Sequence, residues 1–253
     1  MFRIEPLEPI LFVGSCFADH IGRRFAEDHF PVTVNPFGVM YNPASVLHSV
    51  SCFEGTPRIA FLTLGTNHIY RLLETGEIVD NCQKRPHRLF REEELSVDQC
   101  IDYLIQAVDE FHSRRQDAQV VLTVSPIRYA KYGYHGSQLS KATLLLAAQR
   151  VADERSFVRY FPAYEIVLDE LRDYRFYQPD MLHPSDQTVE YIWQRLVEVY
   201  FSERAKQFLQ EWKPVKEALA HRPFQPESDA YKQFLQQTKK KEKDVLSRYA
   251  LYI

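Results

Sequence analysis

Short, almost uninterrupted apolar runs alternate with stretches of helical periodicity along most of this chain, and that alternation leaves few folds open. The runs lie at Ile10-Leu11-Phe12-Val13, within residues 58–65, within residues 118–126 and at Phe157-Val158-Arg159-Tyr160-Phe161, with a shorter strand-like segment at Pro31-Val32-Thr33-Val34-Asn35. A strand apolar at nearly every position is buried on both faces, which is the mark of a parallel sheet covered by helices on each side. The segments between have the matching helical pattern. Phe17, Ile21 and Phe25 recur at helical spacing after the first run, and Ile101, Leu104, Ile105, Val108 and Phe111 do so across residues 96–112. Residues 44–53, with Pro43 near the first turn, and residues 137–155 complete the set. The expected fold is therefore α/β, a three-layer α/β/α domain. In such sheets the ligand crevice opens at the carboxyl ends of the strands. Ser15, Gly38, Asn67 and Ser125 all fall at expected carboxyl ends, so one crevice is expected to gather them.

The rest of the chain decorates that domain. Glu74-Thr75-Gly76-Glu77 between apolar flanks predicts a hairpin over residues 69–80, and residues 127–136 read as a loop rich in Tyr and Gly. A helix is expected over residues 163–171, followed by an irregular aromatic stretch and a helix from near Ser185 to about Phe208. The last part is polar and helical, broken at Arg222-Pro223 and Gln225-Pro226, and its Lys239-Lys240-Lys241-Glu242-Lys243 run reads as a solvated helix face. The domain expectation is one α/β unit over residues 1–210 and a C-terminal helical extension over 211–253.

A formal net charge of -3 gives no general attraction to nucleic acid or anionic lipid. Cys16, Cys52, Cys82 and Cys100 contain no C-x-x-C pair, and reduced thiols are expected. The first residues lack the basic and apolar regions of a secretory signal, and no run reaches membrane-spanning length, so the expected location is cytoplasmic. No G-x-G-x-x-G or G-x-x-x-x-G-K-[ST] occurs, which moves nucleotide-dependent redox chemistry and phosphoryl transfer down the list.

Chemistry concentrates on Ser15. It follows Gly14 at the end of the first run and stands where a helix cap belongs, at the positive end of the helix dipole. A serine nucleophile needs a base. His112 and His183 each have an aspartate three residues earlier, Asp109 and Asp180. The first pair sits on an expected helix away from the crevice. The second lies in a Pro-bounded loop, where the aspartate can hold the imidazole by its Nδ1 proton while Nε2 faces a hydroxyl. Gly38 and Ser15 offer backbone N–H groups and Asn67 a side-chain amide as oxyanion donors. Cys16 beside His20 is an alternative nucleophile, although a cysteine there more often packs on the sheet. Ser140 and Lys141 are adjacent on a helix and point in different directions, which favours a structural role. Asn81, Lys84 and Arg128 lie in loops able to line the crevice and bind polar substrate groups. Tyr129, Tyr132 and Tyr134 either stack on a sugar ring or pack the loop.

Gly14-Ser15-Cys16-Phe17-Ala18 resembles the signature of the GSCFA family, a branch similar to the SGNH or GDSL-like hydrolases. The resemblance extends from about Leu11 to about Trp193, through Asn35-Pro36-Phe37-Gly38, Thr63-Leu64-Gly65-Thr66, Asn81-Cys82, Thr123-Val124-Ser125-Pro126, Ser140-Lys141, Asp173-Tyr174-Arg175-Phe176-Tyr177 and Asp180-Met181-Leu182-His183-Pro184. It implies a flavodoxin-like fold and a serine hydrolase acting on acyl esters, with O-acyl groups on carbohydrate as the substrate class. It implies no metal or organic cofactor, and a small-molecule or glycan acyl ester as the partner. By the same resemblance Ser15 is the nucleophile, Asp180 the orienting acid and His183 the base, with Ser15, Gly38 and Asn67 forming the oxyanion hole. His68 departs from the pattern, standing where the third block has Asp. An acyltransferase using the same acyl-enzyme, and a catalytically silent glycan-binding or scaffold protein, are the alternative readings.

Overall fold

The computed structural model describes residues 2–250 other than 81, 83 and 84. Strand β1 (Ile10–Gly14) is buried at every position, and its side chains divide between two cores. Ile10 and Phe12 join one core, Leu11 and Val13 the other, as alternation across a pleated strand requires. Helix α1 (Cys16–Glu27) buries Phe17, Ala18, Ile21 and Phe25 and returns the chain to β2 (Val32–Val34), parallel to β1. After α2 (Pro43–Cys52), β3 (Ile59–Leu64) pairs with the other edge of β1. The direction of strand addition therefore reverses between β1 and β3.

A second, antiparallel sheet follows from β4 (His68–Leu72), β5 (Ile78–Val79) and β6 (Phe90–Glu94), in the order β5-β4-β6. Helix α3 (Val97–Ser113), β7 (Gln119–Val124), α4 (Gly133–Glu154) and β8 (Val158–Phe161) complete the main sheet, whose order is β2-β1-β3-β7-β8 with every pair parallel. This is the flavodoxin-like order, with its switch point at β1/β3. The chain continues through α5 (Ala163–Glu165) and a wider π turn (Ile166–Leu171) to α6 (Asp186–Tyr200), α7 (Glu203–Ala220) and α8 (Asp229–Ala250). Helices α2, α3 and α4 cover one face; α1, α6, α7 and part of α8 cover the other. The expected three-layer α/β/α architecture is the observed one.

Helix α4 begins at Gly133, four residues earlier than expected and inside the stretch read as a loop, and two other elements also differ from their sequence pattern. The expected hairpin has a third strand, β6, which pairs with β4 from His68↔Glu94 to Leu72↔Phe90. Its sequence Phe-Arg-Glu-Glu-Glu has no apolar alternation because both its faces are largely solvated. The helix expected from Ser185 to about Phe208 is two helices, separated at Phe201-Ser202. Phe201 turns inward against Phe25, Phe30 and Trp193, and the N-terminal segment docks there through Ile4 N–H to Tyr200 O (2.7 Å) and Ser202 N–H to Ile4 O (3.1 Å). Ser202 Oγ then caps α7 by accepting from Ala205 N–H at 3.0 Å. Helix α7 runs continuously through residue 210, and its Phe208, Trp212 and Val215 share one core with Phe25 of α1 and Val245 and Tyr249 of α8.

Candidate active site

The site is built on the β1–α1 turn. Gly14 has φ +146°, and a Cβ there would collide with the Thr63 carbonyl, so only glycine lets β1 end this close to β3. Asn35, just past β2, fixes the same turn. Its Oδ1 accepts from Gly14 N–H (2.8 Å) and its Nδ2 donates to Asp19 Oδ1 (2.6 Å). Ser15 is thereby delivered as the N-cap of α1, with Oγ accepting from Phe17 N–H at 3.3 Å. It is fully buried.

The rim beside it comes from β3, β7 and α4. Gly65 and Thr66 both donate their N–H to Tyr41 O (2.8 Å each). A methyl group at Gly65 would overlap the Tyr129 hydroxyl and come within 3.4 Å of Ser15 Cβ, so these three residues meet at one point. Lys141, fully buried, reaches from α4 to donate to Gly65 O (2.6 Å) and Ser125 O (2.7 Å), tying the ends of β3 and β7 together. Burial pulls its amine well below the usual lysine range.

Asp180 and His183 lie in the loop before α6. Asp180 Oδ1 accepts from Leu182 N–H (2.9 Å) and His183 N–H (3.0 Å), while Oδ2 pairs with His183 Nδ1 at 2.5 Å. Those bonds, first the His183 N–H, then the Leu182 N–H and the imidazole, hold the Asp180 carboxyl down at about 2. The loop is pinned by Arg128, whose backbone N–H donates to Leu182 O (3.1 Å) and whose guanidinium donates to Met181 O (2.9 Å). It also approaches α1. Burial, and then the charges of Arg23 and His183, lower the basicity of His20, one turn beyond Ser15.

Ser15, Asp180 and His183 are thus carried to one end of the sheet, next to Arg128 and Tyr129. Among the described residues no hydrogen bond joins Ser15 Oγ to His183. Each of the expected oxyanion donors makes a hydrogen bond within the protein. Ser15 N–H donates to Thr63 O (3.2 Å), because the β1–β3 ladder extends one residue past the strand, and Gly38 N–H closes the Asn35-Pro36-Phe37-Gly38 turn on Asn35 O (2.9 Å). Asn67, the expected third donor, is buried at the start of the second sheet. Its Nδ2 donates to Leu95 O (2.8 Å) and its N–H to Ser140 Oγ (3.0 Å), so it anchors the second sheet to α4. His68 starts β4 there and stacks on Tyr132, their centroids 3.7 Å apart.

Asn81 and Lys84 lie outside the described residues. Cys16 Sγ faces Tyr41 OH at 3.9 Å. Ser140 and Lys141 serve separate backbone partners, as their directions on the helix predict. His112 stacks on Phe157 and bonds Ala118 O, and Asp109 pairs with Arg155, so this second Asp-His spacing is structural. Asn35 and Tyr129 are the site residues hardest to single out from sequence. Asn35 appears in the sequence only within the Asn35-Pro36-Phe37-Gly38 block, and Tyr129 only as a loop aromatic three residues past Ser125-Pro126. Among the described residues no cluster of three or more His, Cys, Asp or Glu is arranged to hold a metal ion.

The model of the GSCFA family matches residues 9–57 and 53–196, and that of the GSCFA domain protein, C-terminal domain, matches residues 212–250. No curated protein sequence matches the chain. Among solved structures, a member of the lipolytic protein G-D-S-L family from Veillonella parvula DSM 2008 is similar at 12% identity, with 76% of this chain and 97% of that one covered and a TM-score of 0.50. A variant of an acetyl-xylooligosaccharide esterase from Geobacillus Stearmophilus is similar at 13% identity, with 80% and 98% covered and a TM-score of 0.50. The likeness is one of fold.

Proposed function

The chain belongs to the GSCFA family, and from that premise we propose that it is a serine esterase working through a Ser15 acyl-enzyme. The observation that carries this reading is the Asp180–His183 pair. Every acceptor bond of the carboxylate serves to fix one imidazole: two backbone N–H groups lock Oδ1, and Oδ2 holds Nδ1. The tautomer that results keeps Nε2 free to take a proton. His183 removes the Ser15 proton, Oγ attacks the ester carbonyl, and the oxyanion develops at the positive end of α1. Collapse expels the alcohol, which takes its proton from His183, and water repeats the sequence on the acyl-enzyme.

Two observations favour an O-acyl group on carbohydrate as substrate. A cavity of about 190 Å³ beside the strand ends, lined by Arg128, Tyr129, Tyr134, Tyr164 and Tyr174 and adjoining rather than including Ser15 and His183, has a size suited to a short acyl chain or part of one sugar ring. Tyr134 and Tyr174 flank the Arg128 guanidinium and present exposed ring faces. The acetyl-xylooligosaccharide esterase of similar fold acts on that class. The burial of Ser15 adds a second reading, transfer of the acyl group to an acceptor hydroxyl, because a nucleophile shut away from bulk solvent protects its acyl-enzyme from water. Both reactions require the Ser15 hydroxyl to become accessible when substrate enters.

Ser15→Ala removes nearly all turnover of a short-chain p-nitrophenyl ester and all labelling by a fluorophosphonate probe. Full turnover in that variant would overturn the mechanism. Sugar acceptors added to the wild-type protein yield acylated sugar if transfer is the natural reaction, and only free acid if hydrolysis is.

A further inference from the structure

The three donors expected to form the oxyanion hole each make a hydrogen bond elsewhere, yet a fourth donor beside Ser15 has no partner among the described residues. The Tyr129 hydroxyl is buried and makes no hydrogen bond among the described residues. Most buried hydroxyls are hydrogen-bonded, and one left without a partner beside a nucleophile is a candidate for a partner that arrives with the substrate. This one is held in place from several sides. Tyr129 N–H donates to Ser137 Oγ at 3.3 Å, the ring edge meets Tyr41 with centroids 6.3 Å apart, and Lys141 Nζ lies 4.9 Å from the ring centroid. The absence of a side chain at Gly65 is what gives the hydroxyl its place next to Ser15.

We propose that Tyr129 is a catalytic residue whose hydroxyl donates a hydrogen bond to the oxyanion formed at Ser15, an assignment that rests on the reading of Ser15 as nucleophile. As Ser15 Oγ bonds to the carbonyl carbon and its proton moves to His183 Nε2, the carbonyl π electrons pass to the oxygen. The Tyr129 O–H donates to that oxygen without giving up its proton. When the C=O bond re-forms, the alcohol leaves with the proton from His183 and the hydroxyl loses its partner again. Such a donor acts in the transition state more than in the ground state, which is the condition for raising kcat. Burial, with Tyr41 and Cys16 alongside, also pushes the phenol well above its usual range, so it stays an O–H donor throughout the pH range of esterase chemistry. Arg128, the preceding residue, pins the His183 loop, so one short segment holds both the base and the donor.

Tyr129→Phe removes the hydroxyl and keeps the ring that packs on Tyr41 and Lys141. The test measures p-nitrophenyl acetate kinetics, fluorophosphonate labelling of Ser15 and thermal unfolding for wild type, Ser15→Ala and Tyr129→Phe. The expected result is a kcat lowered roughly 100- to 1000-fold in Tyr129→Phe, as for a lost oxyanion donor. KM stays within a few-fold, labelling slows in parallel, and the melting temperature is unchanged or higher. A structural role alone predicts a lower melting temperature with kcat intact. Ser15-dependent activity that Tyr129→Phe leaves within a few-fold of wild type overturns the role of Tyr129 and leaves the nucleophile standing. A wild-type protein that the probe does not label at Ser15, or that turns over equally well as Ser15→Ala, overturns both.

Discussion

Lys141 shows at the scale of one residue how the rim of the site is held. Its amine is buried with two carbonyl acceptors, Gly65 O and Ser125 O, and among the described residues no carboxylate pairs with it. Burial favours the neutral amine, which has two N–H groups, and two acceptors are what it meets. Lys141→Met keeps much of the volume but strips both carbonyls of their donor. Each buried acceptor left unpaired costs about 1–3 kcal/mol, against which the relief of desolvating an amine is set. The expected net effect is a loss of about 1–3 kcal/mol in urea unfolding, with the secondary structure unchanged. A variant as stable as wild type would mean that desolvation of the amine cancels its bonds. The same scale separates what sequence reveals from what it hides. The Asp180–His183 bond is legible because three-residue spacing in a Pro-bounded loop is a local signal. The occupancy of the Ser15, Gly38 and Asn67 donors is not, because it depends on which carbonyl faces each N–H across the fold: Thr63 O, Asn35 O and Leu95 O.

At the scale of elements, the loop between the π turn and α6 decides whether His183 is positioned. It is closed on itself by Gln178 N–H to His183 O (2.7 Å) and Met181 N–H to Gln178 O (2.9 Å), and is tied to the strand ends through Arg128. Arg128→Ala keeps the backbone bond to Leu182 but frees Met181, whose φ of +60° is uncommon for a residue with a side chain. Misplacement of the base by a fraction of an ångström lowers kcat, and roughly 10- to 100-fold is expected, with little change in unfolding midpoint. Arg128→Lys, which retains a donor without the planar fork, recovers part of the loss. Equal kcat in wild type and Arg128→Ala would remove Arg128 from the positioning of His183. Elements with strong periodicity, such as β1, α1, α3 and β7, are legible in the sequence to within a residue or two. Strand β6 is not, since its charged residues face solvent and only pairing with β4 makes it a strand. The break at Phe201-Ser202 is hidden for the opposite reason: Phe201 continues the apolar pattern of α6, and the helix ends where Ile4 docks and Ser202 caps α7.

For the whole molecule, burial of ionisable groups ties stability to pH. His20 on α1 and His68 on β4 both have their basicity lowered, first by burial. His20 also faces Arg23 and His183, with Asp19 and Asp186 opposing; His68 faces Lys131, with Glu94 and Glu92 opposing. A histidine with a lowered folded-state value takes up its proton more readily unfolded, so the unfolded chain binds more protons as pH falls below about 6.5 and stability drops there. A second loss follows at lower pH, as pH falls through the depressed folded-state values of Asp180, at about 2, and of Glu92, held down by Lys131 and Tyr70 against the opposing effect of burial. The melting temperature is therefore expected to fall from pH 7.5 to pH 5, by on the order of 2–4 °C for each kcal/mol lost in a chain of this size. The double variant His20→Gln with His68→Gln flattens that first step and leaves the one below pH 4. A melting temperature constant between pH 7.5 and 5 in the wild-type protein, or an unchanged slope in the double variant, would show that these two histidines do not set its acid sensitivity.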